Sequence, residues 1–257
     1  MRRALVFLVG AAFLLIALLI KAPASLVDGR IDAMSAGKVR LASATGTVWS
    51  GAGELRLVDG NVSLPVSWHI DPWPLVRGEL RGTLAVEDGA TAPASFSVGL
   101  AESTVRNVSV SLPANTLLRV AGVPALLANA GGNVGLNIGE LTKRGDRIEG
   151  RLALRWDQAT LQTLQIVPRP SLVIALGDIR VDATGQGSDL AGPVTNTGGD
   201  VEIGGTVSAS LKGNARLDAR IRPRVGIDAE RANSLGNILA LLGQPDGGGG
   251  YRITFAQ

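Results

Sequence analysis

Apolar and polar residues alternate along most of the chain, with the period of two that predicts β-strands. In residues 148–156, Ile148, Leu152 and Leu154 fall on one face, and Arg151 and Arg155 fall on the other. Gly, Asn, Asp and Pro separate such stretches, as is typical of turns between strands. The same alternation predicts strands over 63–70, 79–87, 94–100, 104–112, 133–139, 172–183, 201–213, 215–222 and 251–255.

Helical periodicity is confined to three segments. The clearest is 228–244, where Leu and Ile recur at helical spacing, Asp228 serves as the N-cap and Gly243 ends the helix. Residues 114–130 carry an apolar stripe that Pro124 interrupts. Residues 157–164, which begin with Asp157, are expected to form one or two helical turns.

These patterns predict a mainly β protein. Consecutive strands with one apolar and one polar face favour a curved, mostly antiparallel sheet, with two or three short helices covering it. A Gly- and Asn-rich stretch and a charged turn near 130–145 suggest two similar halves, about 21–140 and 141–257. The glycine-rich run 243–250 is expected to be a flexible turn into the last strand.

The amino-terminal segment is apolar over 17 residues, 4–20, which is about the shortest length that spans a bilayer. Arg2 and Arg3 precede it and Lys21 follows it. We interpret it as an uncleaved signal anchor, with residues 1–3 in the cytoplasm and 21–257 outside; the alternative is a signal peptide cleaved near residues 22–24. The residues assigned to the anchor are Ala4, Leu5, Val6, Phe7, Leu8, Phe13, Leu14, Leu15, Ile16, Leu18, Leu19 and Ile20.

The charge and cysteine content exclude several functions. Without Arg2, Arg3 and Lys21, basic and acidic residues are equal in number, at 22 each. The sequence pI of about 9.8 therefore does not indicate nucleic-acid binding, which needs an excess of basic charge on one face. The chain has no cysteine, so it forms no disulfide, thiol nucleophile or cysteine-ligated metal site.

No set of residues indicates catalysis, a metal or a cofactor. His69 is the only histidine, and the alternation places it on the solvated face, opposite Trp68 and Ile70. No serine or second histidine completes a catalytic triad with it. The glycine-rich stretches lack the strand–loop–helix context of a phosphate-binding loop. We therefore expect that the protein is not an enzyme.

Three of the four tryptophans lie within residues 49–73. Trp49 follows Gly46 and precedes Gly51, and we favour a packed lid on the sheet over a partner contact for its indole. Trp73 lies between Pro72 and Pro74, which indicates a rigid turn or an edge; packing and partner contact remain equal alternatives there.

The order of these motifs resembles the family of protein N of the type II secretion system. The resemblance depends on GTVWSG at 46–51, WHIDPWPLVRGELRG at 68–82, GRLALRWDQA at 150–159 and LLGQPDGGG at 241–249, and it covers nearly the whole chain. The positions that carry the first two motifs, and that are candidates for contacts, are Gly46, Val48, Trp49, Gly51, Trp68, Pro72, Trp73, Gly78 and Gly82.

The resemblance implies a single-pass protein of a Gram-negative inner membrane, with its domain in the periplasm. It implies an accessory role in the export of folded proteins across the outer membrane, through contacts with other type II secretion subunits. It supplies no catalytic residues. The alternative function is a periplasmic carrier or shield for lipid-like ligands, which would use an open apolar face of the sheet.

Overall fold

The structure is a computed structural model that describes residues 21–35, 37–57, 63–86, 92–120, 129–162, 173–211 and 213–256. The predicted anchor, residues 4–20, lies outside these residues. Among the described residues, no helix has the length and apolarity needed to cross a membrane. The chain forms two compact units, Met1–Leu100 and Ala101–Gln257. The charged turn after residue 144, near which the sequence suggested a division, joins two strands of the second unit.

The first unit is an antiparallel meander in which each strand pairs with the next one along the chain. Its helix α1 (Ser25–Met34) precedes the strands and was not predicted. A short 3-10 helix, Trp73–Arg77, connects the third strand to the fourth. The strands are β1 (Val39–Gly46), β2 (Ser50–Leu57), β3 (Ser63–Asp71), β4 (Leu80–Val86) and β5 (Ala94–Val98).

The apolar face of the first unit packs beneath α1. Trp68 and Val66 of β3 and Leu41 of β1 are buried, together with Ala24, which precedes the helix. Ile31 of α1 packs against this group. Burial of each large apolar side chain contributes about 1.5–3 kcal/mol, so this small core provides most of the stability of the unit.

The second unit is also an antiparallel meander until its last hairpin. Every described pairing within it is antiparallel, and β14 adds to β12. Two helices accompany the strands, α2 (Ala114–Val120) and α3 (Ala229–Leu242). The strands are β6 (Glu102–Pro113), β7 (Asn129–Arg144), β8 (Arg147–Gln162), β9 (Val173–Gln186), β10 (Asp189–Thr197), β11 (Val201–Ser210), β12 (Ala215–Pro223), β13 (Gln244–Pro245) and β14 (Tyr251–Ala256).

Helix α3 covers the core of the second unit. Leu235 of α3 and Val201 of β11 are each only 1% exposed, which makes them the centre of the cluster. Asp228 caps the helix by accepting a hydrogen bond from the N–H of Arg231 at 2.8 Å, as predicted. The strand residues that complete the buried cluster are Ala159, Ile174, Leu176, Val194 and Ile203.

Two helix predictions need correction. Residues 157–164 do not begin a helix, because β8 continues to Gln162 through a bulge. Gln158 adopts a positive φ of 52° there, and its N–H bonds to the carboxylate of Asp178 instead of starting a helical turn. In 114–130, the helix is described to Val120, residues 121–128 lie outside the described residues, and β7 begins at Asn129.

Candidate functional site

The three tryptophans within residues 49–73 differ in exposure: one is buried, one is half-buried and one is exposed. Trp68 is 9% exposed, and its indole N–H donates to the carbonyl oxygens of Thr47 and Val48 at 3.3 and 3.0 Å. Trp49 lies half-buried in the turn between β1 and β2, so its packing is less complete than that of a core lid. Trp73 is 79% exposed. The indole that closes the end of this sheet is therefore that of Trp68.

Gly51 makes room for that indole. The two residues are paired across β2 and β3. The space that a Cβ at position 51 would take is occupied by the ring of Trp68 and, at 2.5 Å, by the carbonyl oxygen of Thr45. Only glycine fits this position, which explains the glycine that follows the GTVWS stretch.

Trp73 is presented by a turn with a fixed backbone. Pro72 and Pro74 restrict the chain on either side of it, and its N–H donates to the Asp71 carboxylate at 3.1 Å. Gly78 ends the 3-10 helix in the left-handed conformation, at φ 74°, and donates to the carbonyl of Leu75 at 2.9 Å. Because Trp73 is 79% exposed, its side chain is not packed in the core. Contact of Trp73 with a partner stays a prediction. Gly46 is the last residue of β1, Val48 lies in the β1–β2 turn, and Gly82 lies in β4.

The outer edge of β1 is sealed by α1. The N–H of Leu41 donates to Asp28 at 2.9 Å, and the N–H of Val39 donates to the hydroxyl of Ser35 at 3.0 Å. The same hydroxyl donates to the carbonyl of Val39 at 3.1 Å. The outward main-chain groups of Val39 and the N–H of Leu41 are therefore already bonded and cannot pair with an added strand. Sequence reasoning missed this seal, because it missed the helix that provides it.

The outer edge of β14 is open at its carboxyl-terminal end, beyond Ile253. Among the described residues, β13 pairs only with Tyr251 and Arg252, and no strand lies beside residues 253–256 on that side. Because the N–H of Asp246 donates to the carbonyl of Gly250, the even-numbered residues direct their main chain away from β12. Thr254 and Ala256 thus present N–H and C=O groups outward, next to the Phe255 side chain, which is 55% exposed.

The turn between β13 and β14 is organised by Asp246. Its carboxylate pairs with Arg220 of β12 and accepts hydrogen bonds from the N–H groups of Gly248 and Gly250, at 2.8 and 3.0 Å. The Arg220 guanidinium and the two N–H groups lower the pKa of Asp246 to about 2. This turn closes the hairpin at residues 246–250, whereas the open edge begins at the opposite end of β13, where α3 ends at Leu242.

Charged side chains pair across the polar faces of the strands. Arg252 pairs with Asp218 at 2.5 Å, and Arg222 pairs with Glu202 at 2.8 Å. The Arg252 guanidinium lowers the pKa of Asp218 by hydrogen bonding. The alternating charges of 216–222 therefore take part in cross-strand pairs on a solvated face.

No site for small-molecule chemistry accompanies these edges in the part of the chain that the structure describes. His69 is exposed on the face opposite Trp68, and no group of three His, Asp or Glu residues is arranged to hold a metal ion. A cavity of about 420 Å³ is lined by Trp68 and otherwise by small and polar residues, which include Thr45 and Ser67. A second, of about 580 Å³, is lined mainly by the charged residues Asp218, Arg220, Asp246 and Arg252.

These features define a class of antiparallel β-meander protein in which helices pack on the cores of both units. The chain belongs to the family of type II secretion system (T2SS) protein N, whose family model matches residues 37–254. No curated protein and no solved structure gives a significant match to it. Membership supports an accessory role in type II secretion and implies other secretion subunits as partners; the family is not a known enzyme family.

Proposed function

We propose that the protein is an inner-membrane component of the type II secretion system that binds another subunit by strand addition at the open edge of β14. Residues 4–20 would anchor it in the inner membrane, with residues 21–257 in the periplasm. In strand addition, main-chain hydrogen bonds provide affinity and the side chains beside them provide specificity. The observation that carries the proposal is the contrast between the β1 edge of the first unit and the β14 edge of the second unit.

The main-chain groups at the β1 edge are bonded by side chains, whereas, among the described residues, those at the end of β14 are not. Proteins commonly cover or shorten edge strands, because an uncovered edge pairs with other chains. In the first unit, Asp28 and Ser35 bond to the outward groups of β1. In the second unit, Thr254 and Ala256 keep outward main-chain groups, and the exposed Phe255 provides apolar area. An edge left open beside an exposed aromatic side chain is typical of a docking strand.

The experiment removes one outward N–H from this edge. Thr254→Pro deletes the N–H that faces away from β12 and retains the β12 ladder, since proline is tolerated on edge strands. A main-chain hydrogen bond contributes about 1 kcal/mol net, so the variant should bind its partner about fivefold more weakly, and the ring adds a clash with an incoming strand. Thr254→Ala, which keeps the N–H, is the matched control and should bind normally.

Recovery of secretion subunits with the full-length chain from native membranes measures this effect. A photocrosslinking residue at position 255, in the otherwise unchanged chain, should capture a secretion subunit in the same cells. Equal recovery with folded Thr254→Pro and Thr254→Ala, together with no subunit crosslinked from position 255, would overturn the proposal. The crosslink decides the matter if Thr254→Pro does not fold.

The lipid-carrier alternative has less support. Ile31 of α1 packs on the apolar face of the first unit, and Leu235 of α3 is at the centre of the second core. The two cavities described above are lined largely by small, polar or charged residues rather than by a continuous apolar surface. Lipid retained by the purified protein and identified by mass spectrometry would favour the carrier over the docking strand.

A further inference from the structure

Exposed apolar side chains concentrate at one end of the first unit. Trp73 and Val76 of the 3-10 helix are 79% and 85% exposed, and Leu100, beyond β5, is 99% exposed. Scattered exposed apolar residues are ordinary, but a group that includes a tryptophan marks an interaction surface. Leu75 and Val98, which are 39% and 47% exposed, belong to the same group.

The strand register places these side chains at a common end. The 3-10 helix follows the last residue of β3, Asp71, and precedes the first residue of β4, Leu80. Leu80 pairs with Val98, the last residue of β5. A Cβ built at Gly78 would lie 3.7 Å from the Leu100 side chain, so Leu100 lies beside the end of the 3-10 helix. We call this group, Trp73, Leu75, Val76, Val98 and Leu100, the apolar end.

The segment that follows the predicted anchor enters the fold at this same end. The N–H of Val48, in the β1–β2 turn, donates to the carbonyl of Ala22 at 2.9 Å. The next residue, Trp49, accepts a hydrogen bond from the N–H of Ile70 at 2.6 Å. Ile70 and Asp71 end β3, immediately before the turn that carries Trp73. The described chain therefore enters the fold at residues 21 and 22, beside the β1–β2 turn and near the apolar end.

The composition of the apolar end suits the boundary between lipid and water. Tryptophan is enriched at that boundary because its ring is apolar and its N–H is polar. Val76 and Leu100 add aliphatic area, and Arg77 and Lys21 add positive charge that anionic lipids attract. Of the carboxylates nearby, Glu79 pairs with Arg81 at 2.7 Å, and Asp71 binds the N–H of Trp73. The prolines fix the turn in advance, so insertion orders little additional backbone.

We propose that the apolar end of the first unit rests on the bilayer surface, with Trp73 and Val76 inserted among the lipid headgroups. The inference depends on the proposed function in one respect, the membrane anchor at residues 4–20. The inference adds an orientation of the first unit relative to the membrane. The unit contacts the bilayer in which the chain is anchored, instead of being held away from it by a linker. The partner at this surface is lipid, and the protein partner of the β14 edge is separate from it.

The test uses the absence of cysteine in the chain. Val76→Cys in the full-length protein takes an NBD fluorophore as the only label, and the protein is reconstituted into vesicles of phosphatidylethanolamine and phosphatidylglycerol with brominated acyl chains. Ala92→Cys is the matched control, because Ala92 is exposed and lies before the start of β5, at the opposite end from Val98. Flotation of the vesicles first establishes that the protein is membrane-bound.

We expect the label at position 76 to emit at shorter wavelength, to be quenched by the brominated chains and to be shielded from iodide, while the label at position 92 stays accessible to iodide. Equal iodide quenching at both positions in protein that floats would overturn the inference and leave the anchor intact. Protein that does not float would overturn the anchor and the inference together. Shielding of position 76 only after secretion subunits are added would identify a protein contact and also overturn the inference.

Discussion

Trp68 lies across Gly51, its partner on the neighbouring strand, and fills the space that any larger residue at position 51 would need. The indole N–H is held by two carbonyl oxygens of the turn that precedes β2. Glycine and tryptophan therefore act as one packing unit, which joins the β1–β2 turn to the core of the first unit.

Gly51→Ala should destabilise the protein. The added methyl group overlaps the Trp68 ring and lies 2.5 Å from the Thr45 carbonyl oxygen, and overpacking of this kind costs about 1–3 kcal/mol. Gly29→Ala is the control with the opposite expected sign. Gly29 is exposed in α1 with no atom within 4 Å of its built Cβ, so alanine should stabilise the helix by up to about 1 kcal/mol. Urea unfolding of the full chain in detergent measures both; equal midpoints would refute the packing argument.

Trp68→Phe should lower the free energy of unfolding by about 1–3 kcal/mol, because it removes the donor to Thr47 and Val48 and leaves two carbonyl oxygens with fewer partners. Trp73→Phe should change it by less than about 0.5 kcal/mol, because that side chain is exposed. Urea unfolding followed by circular dichroism compares the two. A larger effect at position 73 would show that the wrong indole has been assigned to the core.

Asp246→Asn should destabilise the protein in a pH-dependent way. Arg220 and two turn N–H groups lower the pKa of Asp246 from 3.8 to about 2 in the folded chain. The stabilisation from the ionised carboxylate is therefore complete above about pH 4 and is lost as the pH falls through about 2. Urea midpoints of wild type and variant, compared at pH 6 and at pH 2, should differ more at pH 6. A gap that widens at pH 2 would contradict the assigned direction of the shift.

Asn196→Asp should destabilise the second unit by about 1–3 kcal/mol. The Asn196 amide donates to the carbonyls of Leu176 and Val201 at 2.6 and 2.9 Å, and its oxygen accepts from the N–H of Ile203 at 2.7 Å. The aspartate has the same shape but directs a negative oxygen at two carbonyls. Asn137→Asp introduces the same charge at an exposed position of β7 and should be nearly neutral. Thermal unfolding by calorimetry distinguishes them, and similar losses in both variants would argue against the network.

Strands and helices that have a regular apolar pattern within a short stretch of chain were predicted from the sequence. Alternation in 148–156 identified the centre of β8, and Asp228 with the spaced leucines identified α3. The sequence did not reveal β10, in which Gly192 and Pro193 interrupt the pattern. The structure accommodates them because the register with β9 skips both residues, so the missing N–H of Pro193 breaks no bond on that side.

The candidate contact sites were only partly predictable. Pro72 and Pro74 correctly indicated a turn at Trp73, whose exposure follows from that turn. From the sequence, a packed lid was favoured for Trp49, and the contact in which Trp68 covers Gly51 was not predicted, because this contact depends on how β2 and β3 pair. The open edge of β14 depends on where β13 begins after α3, which no local pattern predicts.

The different edges of β1 and β14 also limit what can assemble. The open edge of β14 accepts a single added strand, so the expected stoichiometry of a complex formed at this edge is one to one. Two copies could join through β14 only symmetrically, which closes the assembly at a pair. Continuous end-to-end growth into a fibre would need the groups of Val39 and Leu41 that Ser35 and Asp28 already occupy. Helix α1 thus limits polymerisation as well as supporting the core.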